Sequence, residues 1–188
     1  MWHIRYGTAV EHHSLYQYQF SGASNIVAGF IQTETPYVHW PELWFWKWGK
    51  PTLILILNRY YQPNPDAKSS PYPINTSLND PVYSSSCLSG NCDALGLRVL
   101  NTKNIIIYGA GLYSFFNSYS TTCSNQGGTE ACQSEIFSVE GSTSNLVVYT
   151  LSTVGTSNMI VINGNSDAVY SDNVSVFPDT IALFTYSS

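Results

Sequence analysis

Charged side chains are scarce in this sequence of 188 residues. Only 10% of the residues are Asp, Glu, Lys or Arg, whereas about a quarter is usual in soluble domains. The seven basic residues form no cluster, and the formal net charge is −5, so the dense basic surface that nucleic-acid binding needs is excluded. Ser, Thr, Asn, Gly and Tyr are abundant instead. This composition favours a surface solvated by hydroxyl and amide groups, and a neutral polar ligand such as a sugar.

Long apolar runs and a helical periodicity are also missing. Residues 38–60 hold four of the five tryptophans and the run LILIL, but Lys47, Lys50 and Pro51 interrupt the segment, which is too short to span a bilayer. Elsewhere, short segments rich in Val, Ile, Tyr and Phe are punctuated by Gly and Pro, with no period of 3.6 residues. The sequence therefore predicts an all-β fold and no membrane partner.

The N-terminal sequence MWHIRYGTAV lacks the basic, apolar and small-residue regions of a signal peptide. The composition is nevertheless typical of a secreted protein, and the cysteines fit an oxidising compartment. Their spacings are not C-x2-C and no His lies near them, which favours two loop-closing disulfides over a zinc site. The predicted pairs are Cys87 with Cys92, and Cys123 with Cys132.

Two glutamates are spaced as a candidate catalytic pair. Glu34 ends the apolar run in GFIQTETPY, and Glu11 lies 23 residues earlier, in GTAVEHH. An interval of this size is close to one turn of a β-solenoid, so we expect the two residues on adjacent coils, with backbones about 4.7–4.9 Å apart. Two carboxylates on one face are the minimum for acid–base hydrolysis of a glycosidic bond. The alternative is that each is an ordinary solvated strand residue.

The neighbours of this pair predict sugar contacts rather than metal binding. The spacing HExxH is absent, and adjacent positions of a strand face opposite sides, so at most one of the two histidines would point into a cleft. We predict no metal ion. The candidate substrate-binding residues are Gln32, Thr33, Tyr37, His12 and His13.

A short signature recurs along the chain, in which an asparagine is followed at once by apolar residues. Asparagine tolerates the left-handed backbone region and suits the corner where a chain turns into its next strand. A repeated corner and strand is what a solenoid requires. The four asparagines are Asn25, Asn104, Asn145 and Asn158.

Residues 38–60 differ in composition from the rest of the domain, residues 1–188. They separate ETPY from YQPNP, which would form one continuous turn without them. We interpret the segment as an insertion, such as a translated intron. The alternative is a platform of aromatic rings that stack on a sugar. Residues 62–93 are rich in Pro and Ser and predict a long surface loop.

These motifs resemble the C-terminal portion of the fungal glucan 1,3-β-glucosidases of glycoside hydrolase family 55. The resemblance covers nearly the whole chain outside residues 38–60. It is carried by GTAVEHHSLYQYQF, GFIQTETPY joined to YQPNPDA, GLRVLNTKNIIIYGAGLYSFFNSYSTTC and DNVSVFPDTIALF. The resemblance implies a right-handed parallel β-helix, a solenoid like that of pectate lyase. The chain would form the last coils of the second of two tandem β-helices.

The same resemblance implies a chemistry. Family members are extracellular, act from the end of a β-1,3-glucan chain, invert the anomeric configuration, and need no cofactor or metal. Glu34 would be the acid, with Glu11 beside it to activate the water or relay protons. Because the cleft lies between two β-helices, we expect the chain to need the missing N-terminal β-helix and to be inactive alone.

Two other functions stay open from the residues. One is a non-catalytic β-helical module that binds carbohydrate or has a structural role. The other is a polysaccharide lyase, which would want clustered Asp for calcium and an Arg or Lys base. Arg5 and Arg98 are too isolated to favour it.

Overall fold

The computed structural model describes residues 2–13, 15–35, 94–117 and 120–188. In these ranges nearly all regular structure is β-strand, so the prediction of an all-β fold is confirmed. The strands are β1 His3–Glu11, β2 Tyr16–Ser21, β3 Ser24–Glu34, β4 Leu95–Leu100, β5 Lys103–Tyr113, β6 Gln133–Glu135, β7 Phe137–Glu140, β8 Ser144–Val154, β9 Thr156–Ile162, β10 Asn165–Val169 and β11 Asp179–Tyr186, with a short 3-10 helix at Tyr170–Asp172.

Several predictions fall outside the described residues. These are the insertion 38–60, the loop 62–93, the sugar contact of Tyr37, and the Cys87–Cys92 disulfide. Among the described residues, no helix is long and apolar enough to cross a membrane.

The strands form two sheets, and through most of the chain successive strands alternate between them. The first sheet has the order β1-β3-β5-β8-β11, and the second has the order β10-β9-β7-β4-β2, with β6 also paired to β9. Neighbours are parallel from β1 through β8 in the first sheet and from β2 through β9 in the second. The last neighbours, β11 on β8 and β10 on β9, are antiparallel. Both sheets are therefore mixed.

The core lies between the inner faces of the two sheets. Burying a branched apolar side chain contributes about 1.5–3 kcal/mol, and the strands supply many such side chains at alternating positions. The fully buried ones include Leu97, Val99, Ile105, Ile107, Leu112, Phe137, Leu146, Val148, Leu151 and Ile160.

A column of left-handed residues crosses the first sheet. Gly7, Phe30, Gly109 and Thr150 have φ angles of +64°, +52°, +72° and +56°. They occupy equivalent positions on β1, β3, β5 and β8, between two rows of paired residues. The alternation of buried and exposed positions changes phase at this column, as the burial pattern of β5 shows. The first sheet therefore has two segments of opposite phase.

The asparagine signature marks a corner, as predicted, at three of its four sites. Asn25, Asn104 and Asn145 have φ angles of +58°, +57° and +53°. Their amides form a ladder, in which Asn104 Nδ2 donates to Asn25 Oδ1 and Asn145 Nδ2 donates to Asn104 Oδ1, both at 2.9 Å. The prediction is wrong for Asn158, which lies inside β9 and donates to the Ser134 carbonyl instead.

The predicted disulfide between Cys123 and Cys132 is confirmed, with Cα atoms 5.1 Å apart. It closes the loop between β5 and β6. Cys132 is buried against Gly155, at the junction of β8 and β9, so the disulfide fastens this loop to the end of the first sheet.

Candidate active site

Glu11 and Glu34 lie opposite each other at the ends of β1 and β3. The parallel register pairs every residue of β1 with the one 23 positions later in β3, and Glu11 with Glu34 is its last pair. The expectation that the two glutamates occupy adjacent strands is therefore confirmed. Glu11 is exposed, and the Glu34 side chain retains 20% of its accessible surface. Glu34 is the better held of the two because β3 pairs with a strand on each side.

His12 completes a three-residue cluster with the two glutamates. It directly follows β1 with a φ of +60°, and its backbone N–H donates to the Glu34 carbonyl at 2.8 Å. Its Nε2 lies 3.6 Å from Glu34 Oε1. One carboxylate oxygen from each glutamate and one imidazole nitrogen of His12 all lie within 4.8 Å of one another. These are donor atoms that can bind a proton, a sugar hydroxyl or a metal ion.

The other predicted sugar contacts separate into exposed and buried residues. Gln32 is exposed, two positions before Glu34 on the same face of β3. His13 is exposed, and its backbone N–H and carbonyl both bond the Gln17 side-chain amide. Thr33 differs from expectation: it is fully buried because strand alternation points it into the core, where its side chain has no surface to offer a sugar.

Tyr113 is a candidate site residue that the sequence did not reveal. It pairs with Glu34 in the register of β3 and β5, and it is half-buried on the outer face. Its ring folds back over Gly111, where a Cβ atom would lie 2.6 Å from the Tyr113 hydroxyl oxygen. The glycine two residues before the tyrosine was the available signal, since a missing side chain makes room for a ring.

Exposed aromatic rings lie on the first sheet, on the same strands and their neighbours that carry the cluster at their ends. Tyr108 and Tyr149 pair in register and stack with ring centroids 4.8 Å apart and planes 5° apart. Phe30 contacts Tyr6 edge to face, at 5.2 Å between centroids. Rings of this kind offer apolar surface to a sugar without introducing charge.

A second acidic pair lies at the same end of the first sheet and was not predicted. Asp179 opens β11 opposite Thr153, is only 4% exposed, and has no hydrogen-bond partner for Oδ2. Burial, and then the charge of Glu130, raises the pKa of Asp179 from 3.8 to about 6. Burial also raises the pKa of Glu130, although a hydrogen bond from the Gly155 N–H opposes this. The pair is costly to ionise, so it affects stability.

We expect Asp179→Asn to remove a pH-dependent loss of stability. Since the raised pKa makes the folded state hold more protons than the unfolded state between pH 3.8 and about 6, stability falls as pH rises through this window. The loss is at most about 3 kcal/mol. Urea unfolding at pH 4 should give similar free energies for the native sequence and the variant. At pH 7.5 the variant should be more stable by about 2 kcal/mol.

The matched control is Asp167→Asn, which changes an exposed carboxylate of β10 and should leave the pH dependence of unfolding as it is. If the free energy of unfolding of the native protein rises between pH 4 and 6 relative to that of Asp179→Asn, the ionisation of Asp179 does not cost stability and the prediction is wrong.

Comparison with known proteins gives three relatives across nearly the whole chain. The chain is 41% identical over 184 residues to a protein of Cochliobolus carbonum named "Glucan 1,3-beta-glucosidase". It is 38% identical over 180 residues to a protein of Arthroderma benhamiae named "Probable glucan endo-1,3-beta-glucosidase". These matches cover 96% and 95% of the chain, but 20% and 17% of the relatives. The chain thus spans about a fifth of their length.

A third relative bears a different kind of name. A protein of Penicillium expansum named "Non-secreted LysM effector LysM15" is 30% identical over 187 residues, which is 97% of this chain and 10% of that protein. No family model matches the sequence.

Proposed function

This chain is a relative of the glucan 1,3-β-glucosidases, as its motifs predict, and we propose that it carries one wall of a glycoside hydrolase active site that cleaves β-1,3-glucan. The observation that carries the proposal is the Glu11–Glu34 pair, which the register places side by side in a chain similar to two such enzymes. The neutral, hydroxyl-rich surface suits the same substrate.

The fold we propose is the end of a right-handed parallel β-helix, the last coils of the second of two such helices. Three features support it: strands alternate between two sheets, their neighbours are parallel through the middle of both sheets, and an asparagine ladder joins three successive corners. The antiparallel β10 and β11 would then terminate the last coil.

In the proposed reaction Glu34 protonates the glycosidic oxygen and the anomeric configuration is inverted. An inverting pair that holds a water between its carboxyl groups needs about 6.5–9.5 Å, whereas Glu11 and Glu34 approach within 4.8 Å. A water attacks the anomeric carbon as the bond to the glycosidic oxygen breaks. We therefore assign Glu11 to orienting Glu34 and to accepting the proton of this water through a relay, rather than to holding the water directly between the two carboxyl groups. Gln32, Tyr113 and His12 surround this point and would bind sugar hydroxyls. Tyr37 and His13 remain candidate contacts, and no cofactor is required.

The opposite wall of the cleft would come from polypeptide outside this sequence. The length of the relatives supports this, since the chain covers only about a fifth of each glucosidase. We propose an extracellular site of action from the composition and the Cys123–Cys132 disulfide. Alone, the chain should bind glucan without appreciable turnover.

The decisive test grafts residues 1–188 into the Cochliobolus carbonum enzyme in place of its matching segment. The chimera should release glucose from laminarin, and Glu34→Gln should lower kcat about 10²–10⁴-fold, the usual share of a general acid. The control is Asp167→Asn, which removes an exposed carboxylate of β10 in the second sheet, and circular dichroism checks that each variant keeps its fold. An active chimera that is indifferent to Glu34→Gln would refute the role of Glu34. Glucose release by the isolated chain, lost in Glu34→Gln, would refute the need for a second wall.

A second candidate function is a non-catalytic carbohydrate-binding module. The match to a protein whose name denotes an effector rather than a hydrolase favours it. In that case the chain should bind laminarin with the same affinity before and after Glu34→Gln, and the chimera should be inactive with either residue.

A further inference from the structure

We propose that Glu11, His12 and Glu34 form a binding site for a divalent transition metal ion, with Zn²⁺ as the representative, and that the bound ion inhibits hydrolysis. The inhibition rests on the proposed function of Glu34, whereas metal binding does not. The sequence alone predicts no metal ion, because it contains no HExxH spacing. The proposal rests instead on two carboxylates and one imidazole that converge within 4.8 Å at the ends of two paired strands.

The distances are close to those of a zinc site. Zn–N and Zn–O bonds of about 2.0–2.2 Å in a tetrahedron separate neighbouring ligand atoms by about 3.3 Å. His12 Nε2 and Glu34 Oε1 already lie 3.6 Å apart. Glu11 is exposed, and rotation about its side-chain bonds can bring a carboxylate oxygen onto the same ion. Only small side-chain movements are therefore required.

The backbones of two of the three ligands are held in place before any ion binds. Glu34 belongs to β3, which pairs with β1 on one side and β5 on the other. The His12 backbone N–H donates to the Glu34 carbonyl at 2.8 Å. This hydrogen bond fixes the backbone of His12 relative to the backbone of Glu34. Such prior order reduces the conformational entropy that binding would otherwise cost.

The donor set selects the class of metal. Calcium and magnesium prefer sites built from oxygen alone, whereas an imidazole with carboxylates suits zinc and its neighbours in the first transition series. Three protein ligands also leave a fourth position for water or a sugar hydroxyl. A zinc ion on the Glu34 carboxylate would occupy the oxygen that must carry the catalytic proton, so metal and catalysis compete.

Calorimetric titration of the metal-free 188-residue chain with Zn²⁺ tests the site directly. We expect one ion per chain, and at least a tenfold weaker affinity in His12→Gln and in Glu11→Gln, since even groups behind the ligands change affinity about 10–100-fold. Co²⁺ should show the visible absorption of four-coordination in the native chain and lose it in His12→Gln. The matched control is His13→Gln, which removes the adjacent exposed imidazole and should leave the affinity unchanged.

Equal zinc affinity in the native chain and His12→Gln, or a loss of affinity in His13→Gln instead, would overturn the site. The glucosidase chimera separates the two proposals. A chain that binds zinc but gives an inactive chimera counts against the proposed function alone. An active chimera that Zn²⁺ does not inhibit, with no heat of binding, counts against the metal site alone.

Discussion

Replacing Gly155 with alanine is expected to lower the free energy of unfolding by about 3–5 kcal/mol, from overpacking and backbone strain together. Gly155 joins β8 to β9 with a φ of +75°, which an L side chain rarely adopts. A Cβ atom there would lie 1.7 Å from the Ser114 carbonyl oxygen and 2.9 Å from Cys132 Sγ. Backbone on one side and a disulfide on the other leave nothing flexible to move aside.

The matched control is Gly164→Ala. Gly164 has nearly the same φ, +77°, but a Cβ atom there would meet nothing within 4 Å. It should therefore report backbone strain alone, about 1–2 kcal/mol. Urea unfolding of both variants measures the difference. Equal losses in the two would show that the crowding around Gly155 relaxes without cost.

Arg98→Leu is expected to cost about 3–5 kcal/mol, the usual effect of removing one partner of a buried ion pair. The Arg98 residue is only 6% exposed, and it joins three neighbouring strands of the second sheet. Its Nε and Nη2 donate to the two Glu140 oxygens at 2.7 and 2.6 Å, and its Nη1 donates to Gln19 Oε1 at 2.7 Å. The variant would leave Glu140 charged and half-buried without this partner.

The pH dependence of the Arg98 effect has a definite sign. Burial alone would raise the pKa of Glu140, but hydrogen bonds and charge from Arg98, with a hydrogen bond from Ser138, outweigh it and hold the pKa below 4.5. A lowered pKa gives stability that is present above pH 4.5 and is lost as pH falls through the folded value. The difference between native protein and Arg98→Leu should therefore shrink at low pH.

Two further variants isolate the ion pair. Arg5→Leu changes an exposed arginine and should stay within about 0.5 kcal/mol. The double variant Arg98→Leu with Glu140→Leu should recover most of the loss, because apolar replacement of a whole buried pair is often nearly neutral. No recovery in urea unfolding would mean that Arg98 acts through its packing rather than through charge.

The arrangement of the candidate site could be predicted where one short repeat contains it. The interval of 23 residues from Glu11 to Glu34 equals the constant offset between paired residues of β1 and β3, so spacing alone placed the pair side by side. The interval from Arg98 to Glu140 is 42 residues and includes a disulfide loop, so no fixed period connects them. An arginine that seems isolated along the chain can therefore be central in the fold.

The position of Tyr113 on the outer face could not be predicted, for a different reason. Strict alternation along β5 fails because the left-handed column shifts its phase at Gly109. A glycine hints at such a shift, but Phe30 and Thr150 take the same conformation on neighbouring strands, and neither residue type favours it. The phase of a strand beyond such a point depends on its neighbours and is not encoded locally.

The left-handed column also bears on how the strands of the first sheet fold. At Phe30 and Thr150 the left-handed conformation costs an isolated strand about 1–2 kcal/mol per residue. That cost is recovered only when the neighbouring strands pair on both sides of the column and the inner faces of both segments are buried. A strand with such a residue is unfavourable on its own, so the strands that share the column are expected to form cooperatively rather than one at a time.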